Sequence, residues 1–428
     1  MLQETCFWNV DSPSPRSFMN KSLPESADVV VIGGGFTGLS AALRLAKARV
    51  QVVLLEGQTV GWGASSRNGG QALSCMPRNF TDLVKEHGEE RTVEMFQTSI
   101  QAVDTVERII REEKIDCDFA RNGHIEAASK PAHFDVFKAE QDALKRFLSY
   151  EVQVLSKEEV SSELGTNLYH GLMVNSQSAG LQPARFVHGL AAAAERSGAD
   201  IHEGIRVLRI EPEGPSGTNT HPFKILTDQG ALTAKEVILA ANAWIGEIIP
   251  QFRNRVFPAE SFIIATKPLS DELAHRLILN RRVVYDTLIL LSYYCLSRDN
   301  RMVWGGRDAA TGASAKKNVE RLRKGMVDAF PELESAQVEF YWSGTLGLTL
   351  DQNPHAGRVD GMWYSMCYVG HGVALATFMG EQLAKAILGE EYLNPFDGIK
   401  MPVVPSIRGK PWFVNLGKSW YRFLDAVS

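Results

Sequence analysis

Three glycines in this chain have the spacing of a dinucleotide-binding turn. Gly33, Gly35 and Gly38 form a G-x-G-x-x-G pattern between four β-branched residues at 29–32 and an apolar stretch with helical spacing. Without side chains, these positions let the backbone turn sharply and approach a pyrophosphate closely. A helix that begins at Gly35 would also direct its unpaired N–H groups and its positive dipole end at the phosphate charge. The pattern therefore predicts a strand, a tight turn and a helix around a bound dinucleotide.

A carboxylate with a suitable spacing follows this turn. The apolar run at 52–55 ends in Glu56, eighteen residues past Gly38. At this spacing a carboxylate can accept hydrogen bonds from both ribose hydroxyls of an adenosine. A lone glycine pattern is often only a flexible loop, but here strand, turn, helix, strand and acid occur in order, which favours nucleotide binding.

The overall composition is that of an ordinary globular protein. Of the 428 residues, 44% are hydrophobic and 22% are charged, and the formal net charge is −5. No block of like charges is present in the sequence, so nucleic acid is not an expected partner. We also expect neither a signal peptide nor a membrane span, because no uncharged apolar run reaches the roughly 18 residues that a spanning helix needs.

The cysteines and histidines do not form a metal-binding pattern. The five cysteines are odd in number, scattered and without a C-x-x-C pair, which argues against a disulfide framework and against a zinc site. The histidines likewise lack metal-ligand spacing. We therefore expect no bound metal, and a reducing compartment, the cytoplasm, fits this cysteine usage best.

The elements that must position these residues are expected to form two lobes, since 428 residues are too many for one simple core. Strand and helix units at both ends enclose a strand-rich middle, which predicts an α/β fold with a Rossmann-like lobe and an inserted antiparallel β-sheet lobe for substrate. We expect 27–90, 180–250 and 340–400 to form the first lobe, and 91–179 and 251–339 to form the second. The aromatic segment at 401–428 is interpreted as a helix packed against the rest of the protein or, alternatively, as a helix that lies on a membrane surface.

Three further segments resemble one protein family. They are G-W-G-A-S-S-R-N-G-G-Q at 61–71, V-I-L-A-A-N-A-W at 237–244 and G-H-G-V-A-L at 370–375. Together with the glycine turn, they resemble the D-amino-acid oxidase-like (DAO) family of FAD-dependent oxidoreductases, and within it the γ-glutamylputrescine oxidase-like branch. The resemblance extends from about residue 27 to the C-terminal segment, and the run at 61–71 is far more specific than the glycine turn.

The resemblance implies that FAD binds at these segments. Small residues at 63–70 would allow close approach to the ribitol phosphate and the ring, and Arg67 would donate to a phosphate or to the ring edge. The backbone of Val207 would meet the adenine, and a helix beginning at 370–372 would place its amides at the pyrimidine edge of the flavin. The residues expected to contact FAD are Gly33, Gly35, Phe36, Thr37, Gly38, Glu56, Gly63, Ala64, Ser65, Arg67, Asn68, Gly69, Gly70, Gln71, Val207, Ala240, Asn242, Trp244, Gly344, Leu346, Gly370, His371, Gly372 and Val373.

The mode of FAD attachment is also implied by the resemblance. The sarcosine oxidase branch of the family carries its flavin on a cysteine before the last motif. The matching stretch of this chain, W-S-G-T-L-G-L at 342–348, contains no cysteine. We therefore expect the FAD to be bound non-covalently.

The resemblance places the substrate contacts on the inserted lobe. Tyr285, Tyr293 and Tyr294 lie on strands that resemble those covering the flavin. The run Y-C-L-S-R at 294–298 is similar to the family's Y-x-x-P-R, whose arginine binds a substrate carboxylate, so Arg298 is a candidate for that role. Arg298 would alternatively be an ordinary charge at a hairpin tip.

Three other residues are candidates near the reacting atoms. His371 would be either a catalytic base or, more often in such positions, a structural imidazole beside the flavin. Gln71 would contact the substrate or close the flavin loop. Trp342 would contact the substrate or belong to the core.

The resemblance implies oxidation of a C–N bond. An amine or amino acid would give the hydrogen of the carbon next to its nitrogen to flavin N5 as hydride, and the imine would hydrolyse to a carbonyl. Oxygen would then reoxidise the flavin and yield hydrogen peroxide. The expected small-molecule substrate is a polyamine derivative, a secondary amine or an amino acid.

Two other functions fit the same resemblance. The first is a dehydrogenase of the same fold that passes electrons to a quinone or a carrier protein instead of oxygen. The second is a flavin-binding protein in assembly or tRNA-linked modification, because a fold alone does not define a function. The lack of a basic stripe in the sequence counts against tRNA.

Overall fold

The structure analysed is a computed structural model that describes residues 2–213, 222–306 and 312–403. The strands of these residues are β1 (Ser26–Ile32), β2 (Val52–Glu56), β3 (Gln71–Ala72), β4 (His124–Ala127), β5 (Gln153–Ser156), β6 (Gly171–Asn175), β7 (Ala179–Gly180), β8 (Asp200–Glu203), β9 (Val207–Pro212), β10 (Phe223–Thr227), β11 (Gly230–Leu239), β12 (Phe257–Thr266), β13 (Val283–Asp286), β14 (Ser292–Leu296), β15 (Met302–Gly306), β16 (Val338–Leu348), β17 (His355–Val359) and β18 (Met362–Met366). The α-helices are α1 (Phe7–Asp11), α2 (Phe36–Lys47), α3 (Phe80–His87), α4 (Glu89–Glu113), α5 (Pro131–Leu148), α6 (Pro183–Arg196), α7 (Ile245–Ile248), α8 (Asp271–Leu277), α9 (Ala315–Ala329) and α10 (Gly372–Ile387). Short 3₁₀ helices lie at Ala64–Ser66, Lys157–Ser162, Asn242–Trp244, Pro250–Phe252 and Pro331–Ser335.

The first sheet has a parallel centre. Its strand order is β17-β18-β11-β1-β2-β8, and β10 and β9 extend it from β11. Strand β1 pairs in parallel with β2 and β11. Val29 and Val31 pack into one apolar cluster with α2, α6 and α10, whereas Val30 and Ile32 pack into a second cluster on the opposite face. A parallel strand covered on both faces is expected to be a continuous apolar run, which explains the sequence of β1.

The second sheet contains the strand-rich middle of the chain. Its order is β16-β12-β15-β14-β13-β4-β6-β5. All neighbouring pairs in it are antiparallel except β13 and β4, which are parallel. Helix α9 covers one face, where Leu322 and Met326 join a buried cluster with Tyr294 and Trp304. The α/β architecture with a second, mainly antiparallel sheet therefore agrees with the predicted fold class.

The sheets differ from the expected lobe boundaries at two places. Strand β16 belongs to the second sheet, because it pairs along its length with β12, although 340–400 was expected in the first lobe. Helix α4 packs against α10 of the first lobe, although 91–179 was expected in the second. Both differences arise from contacts between distant parts of the chain. The aromatic segment predicted at 401–428 lies outside the described residues from 404 onward.

Helices α2 and α10 approach each other unusually closely. A Cβ atom at Gly380, in the middle of α10, would lie 2.2 Å from the backbone oxygen of Thr37 in α2. The Ser40 hydroxyl donates a hydrogen bond of 2.6 Å to the Thr377 carbonyl across the same contact. A side chain at position 380 would therefore force the two helices apart.

We expect the substitution Gly380→Ala to lower the free energy of unfolding by about 1 to 3 kcal/mol, because the backbone it meets cannot move aside. Gly325→Ala is the matched control, since Gly325 is also inside a helix but its Cβ would lie an ordinary 3.6 Å from Trp304 Nε1. The control should be neutral or stabilising by up to about 1 kcal/mol, because alanine favours helix more than glycine. Thermal unfolding of both variants checks this, and equal melting temperatures would contradict it.

Candidate active site

A groove follows the carboxyl ends of the parallel strands in the first sheet. Its walls include the turn after β1, the end of β2 and the residues after β11. Gly33 has a left-handed φ of +115°, and a Cβ atom there would lie 2.6 Å from the carbonyl oxygen of Ala240. Only glycine fits this position, because both the backbone angle and the close strand oppose a side chain. The groove therefore lies where ligands bind in open α/β sheets.

The Glu56 carboxylate stands at one wall of this groove. Its Oε2 accepts a hydrogen bond of 2.7 Å from the backbone N–H of Gly34, and its Oε1 accepts one of 2.8 Å from that of Gln58. Burial raises the pKa of this carboxyl, while these two hydrogen bonds oppose the rise. The carboxylate is thus held in a defined position beside the glycine turn.

The start of α2 faces the same groove. Gly35 is its N-cap residue and provides no side-chain acceptor for the first N–H groups. The N–H of Phe36 donates to the hydroxyl of Ser65, at 3.1 Å. The glycine turn, the helix start and Glu56 together provide a site for a phosphate group next to a ribose.

The loop at 63–71 joins this groove to a second cavity. Ala64 lines both the groove and the cavity. The Asn68 side chain holds the loop together, because its Nδ2 donates to the carbonyls of Ala64 and Ser65 at 3.0 Å and its Oδ1 accepts from the N–H of Gly70 at 2.8 Å. Trp342 Nε1 donates to the Arg67 carbonyl at 2.9 Å. The sequence left open whether Trp342 contacts the substrate; its side chain is buried and supports the loop.

The second cavity lies between the two sheets. The second sheet contributes Glu126, Tyr285, Tyr293, Gly344 and Leu346 to its walls. The segment before α10 contributes Gly370 and His371, and α10 itself contributes Val373. Leu73, Met76 and Leu291 add apolar surface. A flat ring system that extends from the groove along the loop at 63–71 would enter this cavity.

A chain of polar side chains crosses one wall of the cavity. The Tyr285 hydroxyl lies 3.4 Å from Glu126 Oε2 and 3.6 Å from Cys75 Sγ. Cys75 Sγ in turn lies 3.5 Å from His371 Nε2. The ring of His124 stacks on that of Tyr285, with 5.4 Å between centroids. These contacts connect the second sheet to the start of α10.

The ionisable groups in this wall have shifted pKa values. Burial, with a smaller contribution from the Glu140 carboxylate, raises the pKa of Glu126 to about 7. Burial also raises the pKa of Glu140 to about 7 and that of the Cys75 thiol to about 12. Burial, together with the nearby charges of His371 and Arg282, lowers the pKa of His124 to about 3. At neutral pH His124 and Cys75 are therefore uncharged, and Glu126 is close to its midpoint.

Most residues predicted to contact FAD line the groove or the cavity. Those lining the groove are Gly33, Gly35, Glu56, Gly63, Ala64, Ser65, Val207, Ala240, Asn242 and Trp244. Those lining the cavity are Arg67, Asn68, Gly69, Gln71, Gly344, Leu346, Gly370, His371 and Val373. Those lining neither are Phe36, Thr37, Gly38, Gly70 and Gly372. The Thr37 hydroxyl, for example, is buried 2.8 Å from that of Tyr368 and so belongs to the packing of α2.

The position of Tyr294 contradicts the substrate contact expected for it. Its side chain is 1% exposed and stacks on Trp304 with 4.4 Å between ring centroids, in the core beneath α9. The neighbouring Tyr293 lines the cavity instead. Successive side chains of a strand point to opposite faces, so one of the two tyrosines must face away from the cavity.

The position of Arg298 also contradicts its expected role. The side chain is 71% exposed at the hairpin after β14, where NH1 donates to Asp118 Oδ1 at 2.9 Å. It does not line the cavity. The alternative interpretation, a charged residue at a hairpin tip, describes it correctly.

Glu126 and Cys75 belong to the candidate site but were not predicted from the sequence. Glu126 is one of two polar residues that alternate with Ile125 and Ala127 along β4, and this alternation is the signal that could have identified it. Cys75 is a single cysteine without a motif, and only its contacts with Tyr285 and His371 reveal its place. Among residues 2–213, 222–306 and 312–403, no group of His, Cys, Asp and Glu could hold a metal ion, and no helix is long and apolar enough to cross a membrane.

Comparison with known proteins identifies the family. Residues 28–386 match the model of the DAO family, described as FAD dependent oxidoreductase. The chain is 36% identical to the probable oxidoreductase OrdL of Haemophilus influenzae over 94% of its own length and 92% of that protein. It is 30% identical to the gamma-glutamylputrescine oxidoreductase of Escherichia coli over 97% and 96% of the respective lengths. The crystal structure of glycine oxidase from Geobacillus kaustophilus has the same fold, with a TM-score of 0.75 at 20% identity over 90% of this chain and all of that one. The chain belongs to the DAO family, and it is an FAD-dependent oxidoreductase.

We expect the substitution Glu126→Gln to stabilise the protein at alkaline pH but not at acidic pH. A carboxyl whose pKa rises on folding contributes stability below its unfolded pKa and loses it as the pH rises through the folded value, here about 7. The variant should therefore be more stable by roughly 1 to 2 kcal/mol at pH 8, and the difference should disappear below about pH 4.5.

Melting temperatures of both proteins across this pH range test the expectation. The charge of Glu140 on α5 acts on the substituted group, Tyr285 on β13 contacts it, and His124 on β4 contacts Tyr285. All three are present in both proteins, so the difference arises from the change at Glu126. A difference that is independent of pH would contradict the assignment.

Proposed function

We propose that this protein is an amine oxidase: bound FAD would supply the acceptor for two electrons from the carbon next to a substrate nitrogen, and oxygen would be the final acceptor. The imine product hydrolyses to a carbonyl compound, and oxygen is reduced to hydrogen peroxide. The observation that carries this proposal is the loop at 63–71, which lines both the dinucleotide groove and the second cavity. One end of a bound dinucleotide can thereby reach a separate, substrate-sized space.

The groove residues have the chemistry that FAD requires. The glycine turn and the start of α2 would hold the pyrophosphate, and Glu56 would accept hydrogen bonds from the adenosine ribose. The backbone at Val207, which lines the groove, would meet the adenine. The residues at 63–70 would follow the ribitol, since Gly63 and Ala64 offer little steric bulk. When bound, FAD supplies the electron acceptor for oxidation of the C–N bond.

The cavity residues would orient the amine and limit access of water. Leu73, Met76 and Leu346 line it with apolar surface, which strengthens polar interactions inside it. His371 is held by Cys75, whose thiol is neutral because burial raises its pKa to about 12. We assign His371 the role of a positioning residue at the start of α10, where the helix amides favour negative charge. Gln71 donates from Nε2 to the Val284 carbonyl at 3.1 Å, so it links the flavin loop to β13.

One relative supports a polyamine derivative as substrate. The Escherichia coli relative is a gamma-glutamylputrescine oxidoreductase, and the two chains match over nearly their entire lengths. We propose that the substrate is an amine of this kind, with other secondary amines and amino acids as weaker candidates.

We expect a γ-glutamylated diamine or a related amine to bleach the yellow colour of the purified protein when added without oxygen. Admission of air should restore the colour and release one hydrogen peroxide per amine oxidised. A panel of diamines, secondary amines and amino acids, followed by flavin absorbance, checks this. Absence of bleaching by every compound would refute the proposed oxidation, while bleaching without peroxide would identify a dehydrogenase that uses another acceptor.

We also expect the flavin to separate from the polypeptide on acid precipitation. The stretch at 342–348 has no cysteine that could bond to the ring. The yellow colour should therefore remain in the supernatant, whereas a yellow pellet would indicate covalent attachment. Absorbance of the two fractions measures the distribution.

A further inference from the structure

The cavity that would receive the substrate contains more acidic than basic groups. Among the described residues, the charged side chains that line it are Arg67, Glu126 and Asp286, together with the titratable His371. Arg67 is directed to its own loop, because its Nε donates to the Trp62 carbonyl at 2.8 Å and its guanidinium lies 5.6 Å from the centroid of the Trp62 ring. The cavity wall therefore has a negative character away from this loop.

Asp286 has a structural role in this wall. Its two carboxylate oxygens accept hydrogen bonds from the backbone N–H groups of Leu288 and Ser292, both at 3.1 Å. The side chain is 6% exposed and closes the turn between β13 and β14. Because both Asp286 oxygens accept hydrogen bonds from the backbone, Glu126 is the acidic side chain of this wall that is available to a ligand.

Glu126 is half-buried in the cavity wall and lacks the partners that a carboxylate in such a position usually has. Within the part of the chain that the structure describes, the hydrogen-bond donor to its carboxylate is Tyr285, at a long 3.4 Å, and no cation pairs with it. Glu163, by comparison, pairs with Arg282 at 3.0 Å and also accepts from Asn280. A carboxylate in such surroundings is costly unless a positive group compensates it. An ammonium ion entering the cavity would provide that compensation.

A substrate carboxylate, in contrast to an ammonium ion, would be disfavoured beside Glu126. Recognition of an α-amino acid calls for a cation near the reacting carbon, for which a bidentate arginine is the usual solution. Arg298, the candidate for this role, is exposed and paired with Asp118 outside the cavity. A negative group close to Glu126 would be repelled.

We infer that Glu126 binds the cationic nitrogen of the substrate, which gives one proton to water before the neighbouring carbon loses its hydride, and that Glu126 so selects amines over α-amino acids. This inference rests on the proposed function and specifies its substrate class: a primary or secondary amine, including a diamine or polyamine derivative, with no carboxylate on the carbon that is oxidised. Tyr285 positions the Glu126 carboxylate through its hydroxyl. A bound ammonium ion would lower the raised pKa of Glu126 and so favour its ionised carboxylate.

A pair of ligands that cannot be oxidised tests this inference. tert-Butylamine carries an ammonium group but no hydrogen on the adjacent carbon, and pivalate is the carboxylate of similar shape. Titration of the FAD-loaded protein with each, followed by the flavin absorbance spectrum, yields their dissociation constants without turnover. We expect the wild-type protein to bind the ammonium ion at least ten-fold more tightly than pivalate. The substitution Glu126→Gln should weaken ammonium binding at least ten-fold and leave pivalate binding unchanged or stronger.

Glu140→Gln is the matched control. Glu140 is a neighbouring buried acid whose oxygens accept from the Phe80 N–H at 2.8 and 3.0 Å, and it does not line the cavity. This variant should bind tert-butylamine within about three-fold of the wild type, because the Glu140 charge makes only the smaller contribution to the pKa of Glu126. An equal loss of tert-butylamine affinity in both variants, or no loss of this affinity in Glu126→Gln, would overturn the inference.

Turnover measurements distinguish a failure of this inference from a failure of the proposed function. With an oxidisable amine, Glu126→Gln should raise KM at least ten-fold and change kcat little, whereas a proton-accepting role would lower kcat at unchanged KM and would contradict the inference. If no amine reduces the wild-type flavin, the proposed function fails. If amines reduce it but both glutamine variants retain the same preference for amines over amino acids, the assignment of Glu126 alone fails.

Discussion

The close packing of α2 against α10 is the constraint on which the site depends. The contact is possible because position 380 has no side chain, and it places the start of α2 at the groove while α10 starts beside the cavity. The two hydroxyls of Thr37 and Tyr368, 2.8 Å apart, connect the first turn of α2 to the segment that precedes His371. A dinucleotide as long as FAD needs fixed points at both of its ends, and this helix pair would supply them from segments more than 300 residues apart in sequence. Any change in the distance between the helices would shift the phosphate site relative to the reacting centre.

The loop between these points is supported from several sides. Trp342 of β16 holds the Arg67 carbonyl, and Trp8 of α1 holds the Asn68 carbonyl through a hydrogen bond of 2.9 Å. Trp8 and Trp342 also contact each other edge to face, with 6.5 Å between ring centroids. The N-terminal helix thus supports the loop at 63–71, and no sequence motif predicted this contact. Rigid support of this kind matters because small errors in the position of a reacting group greatly reduce the rate.

Local patterns predicted the strand, turn and helix that form the groove. The turn at Gly33 and the carboxylate at Glu56 depend on residues close together in sequence, and the motif at 61–71 forms a loop along both the groove and the cavity. The FAD contacts of these residues stay a prediction. The substrate half depends on strand pairing over long distances, which a single sequence does not define. Tyr285 and Glu126 meet because β13 pairs in parallel with β4, about 160 residues away. The choice between Tyr293 and Tyr294 depends on which face of β14 meets the cavity, and a shift of one residue reverses it.

The central claim is that one bound FAD extends from the glycine turn to a cavity in which Glu126 receives the amine. A crystal structure of the FAD-loaded protein with a bound, non-oxidisable amine tests this most directly. The account predicts the pyrophosphate at Gly33–Gly35, the ring between the loop at 67–71 and residues 344–346, and the amine nitrogen within about 3 Å of a Glu126 carboxylate oxygen. A ring outside the cavity, or an amine bound away from Glu126, would contradict it.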